Sequence, residues 1–156
     1  IYIFNEVHKQ NENSIILLVG QGPLMEEIKE KVKNLNLEKY VKFLGQRSDV
    51  SELYQAFDMF LFPSLYEGLG MVVVEAQVSG LPCIVSTEIP KIAKIIDKIN
   101  FIDLNTQIEK WVDVIQKFSK KENRYRITFL EAVDRYNIDK EILNLEKLYL
   151  KKFENI

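Results

Sequence analysis

Asp58-Met59-Phe60-Leu61-Phe62-Pro63-Ser64-Leu65-Tyr66-Glu67-Gly68-Leu69-Gly70-Met71-Val72-Val73-Val74-Glu75-Ala76 sets a strand, a loop and a helix in one passage. The run from Asp58 to Phe62 is short and apolar, and Pro63 stops it because proline has no N–H for a ladder. Two glycines then loosen the chain before a helix expected from about Met71 to Val78. Ser79-Gly80 ends that helix with a C′ glycine, and Pro82-Cys83-Ile84-Val85-Ser86 is the next strand. A strand, a crossover helix and a second strand form a βαβ unit, whose strands run parallel with a right-handed crossover.

The same alternation extends in both directions. Ile1, Ile3, Phe4, Val7 and His8 fall at helical spacing before the polar break Gln10 to Asn13. Ser14-Ile15-Ile16-Leu17-Leu18-Val19 is an unbroken apolar run and reads as a strand buried on both faces. After Gly20-Gln21-Gly22-Pro23, the apolar stripe Leu24, Met25, Ile28, Val32 and Leu35 predicts a helix. Val41-Lys42-Phe43-Leu44 is a short strand closed by Gly45, and Ser48 or Asp49 is the expected cap of a helix carrying Val50, Leu53, Tyr54 and Phe57. Downstream, Ile92 to Ile96 fits a helix or a turn and Asn100-Phe101-Ile102 a final short strand. Three more helices are expected, at about 105–119, 122–134 and 138–154, with apolar positions such as Trp111, Val112, Ile115, Leu143, Leu145, Leu148 and Tyr149. The expected class is α/β, a Rossmann-like parallel sheet with helices on both faces.

Composition bounds the function. The chain has 156 residues, 47% of them hydrophobic and 28% charged, which describes one folded domain rather than a disordered or fibrous chain. Lys plus Arg number 21 against 23 Asp plus Glu, so no global field draws it to nucleic acid or anionic lipid. The single Cys83 excludes an intrachain disulfide framework and a thiolate zinc cluster. No stretch reaches the roughly 18 consecutive apolar residues of a spanning helix.

In open parallel sheets ligands bind beyond the carboxyl ends of the strands, which makes the loop Pro63 to Gly70 the first place to look for chemistry. Glu67 lies on that loop and Glu75 a turn inside the helix, with seven residues between them. A helix starting near Met71 points its first N–H groups out of that end of the sheet, and the helix dipole favours an anion there. Gly70 would let a phosphate approach the backbone, Glu75 could accept hydrogen bonds from ribose hydroxyls, and Glu67 would sit further out, beside a sugar. The plain alternative is an exposed loop acid and a charge on a wet helix face. Against it, the apolar neighbours of Glu75 mark the helix as buried, and a buried glutamate needs a partner.

These residues resemble the donor motif of the GT-B glycosyltransferases of family 4, group 1. Similarity is dense from about residue 15 to 90, including Val19-Gly20-Gln21-Gly22-Pro23, Val41-Lys42-Phe43-Leu44-Gly45 and Ser64-Leu65-Tyr66-Glu67-Gly68-Leu69-Gly70-Met71-Val72-Val73-Val74-Glu75-Ala76. The resemblance implies a retaining transferase that takes a nucleotide-diphosphate sugar, a UDP-sugar by preference, with no metal and no other cofactor. It implies that Glu67 is the catalytic-site glutamate bonded to donor-sugar hydroxyls, that Leu69, Gly70 and Met71 offer backbone groups to sugar and phosphate, and that Glu75 holds the ribose. The base would rest near the Gly45 to Ser48 loop, which adds Gln46 and Arg47 to the donor-binding residues along with Gly20, Gly22 and Ser64.

As partners it implies a nucleotide sugar and a glycan or lipid-linked acceptor, no nucleic acid, and a cytoplasmic enzyme of capsule or exopolysaccharide synthesis that associates peripherally with the inner face of the membrane. The family carries an Arg and a Lys-Gly pair that neutralise the diphosphate, and neither is found here. The chain opens on Ile1-Tyr2, so residues 1–156 are expected to be a donor domain truncated at its N-terminus, the acceptor domain being absent. The loop Ser86-Thr87-Glu88-Ile89-Pro90-Lys91 also departs from the usual glycine pair and Pro-Glu. A non-catalytic α/β nucleotide-binding or interaction module is the competing expectation.

Other candidates are weaker. Gly20-Gln21-Gly22 invites a dinucleotide fingerprint, but its third glycine would fall at Met25 and no acid ends the second strand, so NAD binding is rejected. Gly22-Pro23 either simply opens a helix or forms a ligand-facing loop. His8, the sole histidine, is expected to pack or to lie at the surface, and Cys83 to be a buried small apolar residue. Trp111, Tyr149 and Phe153 read as core or as a face against further structure. Lys117, Lys120, Lys121, Arg124 and Arg126 read as a solvated helix junction, with a membrane-surface patch as the alternative.

Overall fold

A computed structural model describes residues 1–119, 134 and 136–153. Helices and strands alternate as α1 (Tyr2–Gln10), β1 (Ile16–Val19), α2 (Met25–Asn34), β2 (Val41–Gly45), α3 (Val50–Ala56), β3 (Phe60–Phe62), α4 (Met71–Val78) and β4 (Cys83–Ser86). A 3-10 turn at Lys91–Ala93, β5 (Ile99–Ile102), α5 (Ile108–Phe118) and α6 (Ile138–Phe153) follow. The segment 92–96 is therefore mostly irregular, and the expected helix at 122–134 lies outside the described residues apart from Asp134.

Every strand pair is parallel, but the strands form two sheets rather than one: β1 pairs with β2, and β3, β4 and β5 lie in that order. Period-2 alternation on β4 explains how the second sheet is covered. Cys83 and Val85 face a cluster with Val73, Val74 and Ala76 of α4, Leu81 and Ile89. Ile84 faces the other way, to Ile102, Trp111, Val114 and Ile115. All of β4 is buried, as its unbroken apolar run requires. Cys83 lies wholly within this core, and burial pushes its thiol up to about 12.

A third cluster holds Phe4, Val32, Leu37 and Val41 with Ile16 and Leu18 beneath them. Helix α1 joins the two sheets, because Phe4 enters this cluster while Ile3 and Val7 pack against Trp111 and its neighbours. His8 packs too: its ring centroid is 3.9 Å from that of Tyr40, and Nδ1 is 3.2 Å from Ser14 Oγ.

Two expectations are corrected. Strand β1 is not buried on both faces: Ile16 and Leu18 point into the third cluster, whereas Leu17 and Val19 are exposed and join none of the clusters among the described residues. Among the described residues no cluster covers the face that carries Leu17 and Val19, so the apolar run of β1 has one covered face. Asp49 does stand at the N-cap of α3, yet its carboxylate caps nothing, because Arg47 engages it. Of the aromatic residues read as core or as a face against further structure, Trp111 is buried and Tyr149 on α6 is exposed, as are Leu143, Leu145 and Leu148 beside it.

Candidate functional site at the N-terminus of helix α4

The two sheets open their strand carboxyl ends onto the loops at Gly20–Pro23, Gly45–Asp49, Pro63–Gly70 and Ser86–Pro90. Gly70 caps α4 in the left-handed conformation, φ 74° and ψ 50°. Its carbonyl accepts from Val73 N at 2.8 Å, which tightens the first turn and leaves the Met71 and Val72 amides before the first intrahelical bond. A Cβ on Gly70 would meet Ile89 Cγ2 at 3.5 Å, ordinary contact, so the requirement for glycine is conformational. Gly70→Ala should therefore cost about 1–2 kcal/mol of folding stability. A denaturant titration checks this, and an unchanged midpoint would remove the strain from the account.

Helix α4 exits as abruptly as it begins. Gly80 has φ 80°, and Leu81 N and Gly80 N donate to Ala76 and Gln77 carbonyls at 3.0 and 2.9 Å, the paired bonds of a Schellman end. That turn feeds the chain straight into β4 and so registers α4 over it.

Both carboxylates take a hydroxyl partner. Ser64 Oγ donates to Glu67 Oε1 at 3.0 Å, and Tyr54 Oη, reaching across from α3, donates to Glu75 Oε2 at 3.3 Å. Burial, and after it the negative charge of Glu75, push the Tyr54 hydroxyl well above its ordinary range, so it remains a donor. Glu75 is nevertheless exposed, contrary to the expectation of a buried acid: α4 turns Val73, Val74, Ala76 and Gln77 inward and Met71, Val72, Glu75 and Val78 outward. A groove of about 500 Å³ runs along that outward face, walled by Ser51 and Tyr54 of α3, Met71, Val74 and Glu75 of α4, and Tyr136.

The other expected site residues are distributed differently. Gly22 borders a separate pocket of about 390 Å³ with Gln21, Met25, Lys29, Phe43 and Gly45. Gly20, at φ 129°, donates to the Gly45 carbonyl at 2.7 Å and so closes the β1–β2 pair. Gln46 is exposed. Arg47 grips Asp49 with both ends of its guanidinium, Nε to Oδ1 at 2.7 Å and a terminal nitrogen to Oδ2, which holds the Asp49 carboxyl below the usual carboxylate range. Glu67 and Leu69 are half-buried on the loop, Met71 is exposed, and Glu75 and Met71 share the larger groove. Among the described residues no group of three His, Cys, Asp or Glu side chains is placed to hold a metal ion.

Three residues of this region were not singled out from sequence. Tyr54 looks like one more apolar position of its helix. Gln77 is wholly buried, with a fully used amide: Nε2 donates to Val73 and Ala93 carbonyls at 3.0 and 2.8 Å, and Oε1 accepts from Ile95 and Ile96 N at 2.9 and 3.2 Å. A polar residue among Val73, Val74 and Ala76 was the available signal. Ser86, also fully buried, ends β4 and donates to the Ser64 carbonyl at 2.6 Å.

A parallel α/β frame thus carries Glu67 and Glu75 on either side of Gly70, and the sequence profile of the family described as glycosyl transferases group 1 matches residues 1–132. The chain belongs to that family. This group 1 chain is 35% identical over 146 residues to the putative glycosyltransferase EpsF of Bacillus subtilis, covering 90% of the chain and 38% of the relative. It is 31% identical over 153 residues to an Escherichia coli enzyme named UDP-Gal:alpha-D-GlcNAc-diphosphoundecaprenol alpha-1,3-galactosyltransferase, again covering 38% of that relative. Among solved structures, the glycosyltransferase WaaG, involved in lipopolysaccharide biosynthesis, superposes with TM-score 0.65 at 26% identity over 75% of this chain and 33% of that one. The group 1 chain thus spans well under half the length of these relatives.

Proposed function

We propose that residues 1–156 form the nucleotide-sugar-binding part of a retaining glycosyltransferase. The donor is a UDP-sugar and the acceptor a glycan or lipid-linked sugar of a bacterial surface polysaccharide. The carrying observation is that Glu67, on the loop before Gly70, and Glu75, in the helix after it, each have one carboxylate oxygen held by a hydroxyl. The first-turn amides and the helix dipole stabilise the diphosphate that departs in the reaction, Glu75 accepts from the ribose, and Glu67 accepts from the donor sugar. The E. coli relative, named for a UDP-Gal donor and a lipid-diphosphate acceptor, supports both choices. The proposal includes a metal-free reaction and work at the cytoplasmic face of the membrane; among the described residues no helix is long and apolar enough to cross one.

One observation favours the competing module that binds without catalysis: no Lys or Arg is among the described residues lining the groove beside Glu75. Calorimetric titration with UDP and with UDP-galactose, UDP-glucose and UDP-N-acetylglucosamine tests the proposal. Binding is expected in the millimolar range or tighter. Glu75→Gln should weaken UDP and UDP-sugars alike by about tenfold, the loss of charge-assisted bonds to a ribose, whereas Glu67→Gln should weaken the sugars alone. No binding at millimolar ligand, with both variants behaving as wild type, would overturn the proposal.

A further inference from the structure

Ser64 has one hydroxyl proton and two acceptors in reach, Glu67 Oε1 at 3.0 Å and the Tyr66 carbonyl at 3.1 Å. A charge-assisted bond to a carboxylate is roughly twice as strong as one to a neutral carbonyl, so the proton goes to Glu67. Ser64 is itself held from behind. Its carbonyl accepts the 2.6 Å bond from Ser86 Oγ, and Ser86 is completely buried at the last residue of β4, paired with Ile102 of β5. The chain of contacts therefore runs from the rigid centre of the sheet, through Ser86 and Ser64, to one oxygen of the loop glutamate. Glu67 Oε2 takes no hydrogen bond from the described residues.

We infer that Ser64 and Ser86 are positioning residues: Ser86 fixes the Ser64 backbone, Ser64 fixes the Glu67 carboxylate by its Oε1, and Oε2 is thereby aimed as a single acceptor at one hydroxyl of the donor sugar. The inference rests on the proposed donor site and reassigns Ser64, which does not itself hold the nucleotide sugar. A flexible glutamate on an exposed loop would lose rotamer freedom on each binding event, and a pre-bonded one has already lost it. Specificity follows, because an acceptor held in one place discriminates a hydroxyl by its position on the ring.

The test compares UDP-sugar with UDP on wild type, Ser64→Ala and Ser64→Thr by calorimetry, in the chain as it stands. Ser64→Ala should cut the preference for UDP-sugar over UDP by about tenfold while leaving UDP affinity unchanged, and Ser64→Thr, which keeps the hydroxyl, should restore it. A merely structural role would move UDP and UDP-sugar together. A second arm needs no ligand: side-chain NMR couplings of Glu67 should report one rotamer in wild type and averaged values in Ser64→Ala. An unchanged preference, or a Glu67 rotamer that stays single in Ser64→Ala, overturns the inference. Absence of UDP binding by wild type overturns the donor-site proposal, and the rotamer arm then decides the Ser64–Glu67 link by itself.

Discussion

Gln77→Leu is expected to lower folding stability by about 3–5 kcal/mol, because it orphans three buried backbone groups at once. The leucine has nearly the same volume and keeps the apolar contacts of α4. What it removes is the acceptor for Ile95 and Ile96 N–H and the donor to the Ala93 carbonyl. Those groups lie at the end of the 3-10 turn and in the irregular segment that leads from it to β5, where no ladder or helix replaces the lost partner, and Ala93, Ile95 and Ile96 are all buried. The Val73 carbonyl is a milder loss, since it lies within the helix. Such a loss is a large share of the roughly 5–15 kcal/mol that holds an ordinary domain together. Urea titration should show a lower midpoint with an unchanged slope, which distinguishes lost native bonds from an altered unfolded state. A destabilisation under about 1 kcal/mol would mean that water or a local shift satisfies the segment instead.

Trp111→Ala should cost about 3–5 kcal/mol, the range for emptying a large aromatic site in a packed interior. Trp111 is 2% exposed and lies between Ile84 of β4, Ile102 of β5 and the Ile3–Val7 face of α1. It therefore supports both the second sheet and the helix that joins the two sheets. Tyr149→Ala on α6 is the control: its side chain is 59% exposed, and removing it should change stability by no more than about 0.5 kcal/mol. Equal losses for the two variants would show that α6 is covered in solution and would revise its place in the fold.

Much of this was legible in the sequence. The Met71–Val78 helix, its glycine exit and the strand after Pro82 follow from local rules of spacing and turn chemistry, and the structure places them within a residue of expectation. The two glutamates and Gly70 were singled out from the same local reading, because a βαβ unit has one end at which loops can carry chemistry. Less legible was the environment of each side chain. The run Ser14–Val19 has the composition of a doubly buried strand, yet its burial depends on which elements pack over each face of the sheet, which no local pattern encodes. Glu75 was expected inside because its neighbours are apolar, but a helix spreads successive residues 100° apart, so Glu75 faces out while Val74 and Ala76 face in. Gln77 took the buried polar position instead.

By itself, then, the sequence determined the order of strands and helices, their parallel sense and the resemblance to the family, and it singled out two acids on either side of Gly70. These depend on residues within one turn or one loop of each other, where backbone geometry restricts the outcome to a short menu. Only the tertiary structure decided that the strands divide into two sheets joined by α1, that Tyr54 holds Glu75 and that Ser86 and Ser64 hold Glu67. Those bonds span 21, 22 and 3 residues. Even the shortest of them depends on the longest, because the loop that carries Ser64 is set by the buried end of a strand that comes after it in the chain.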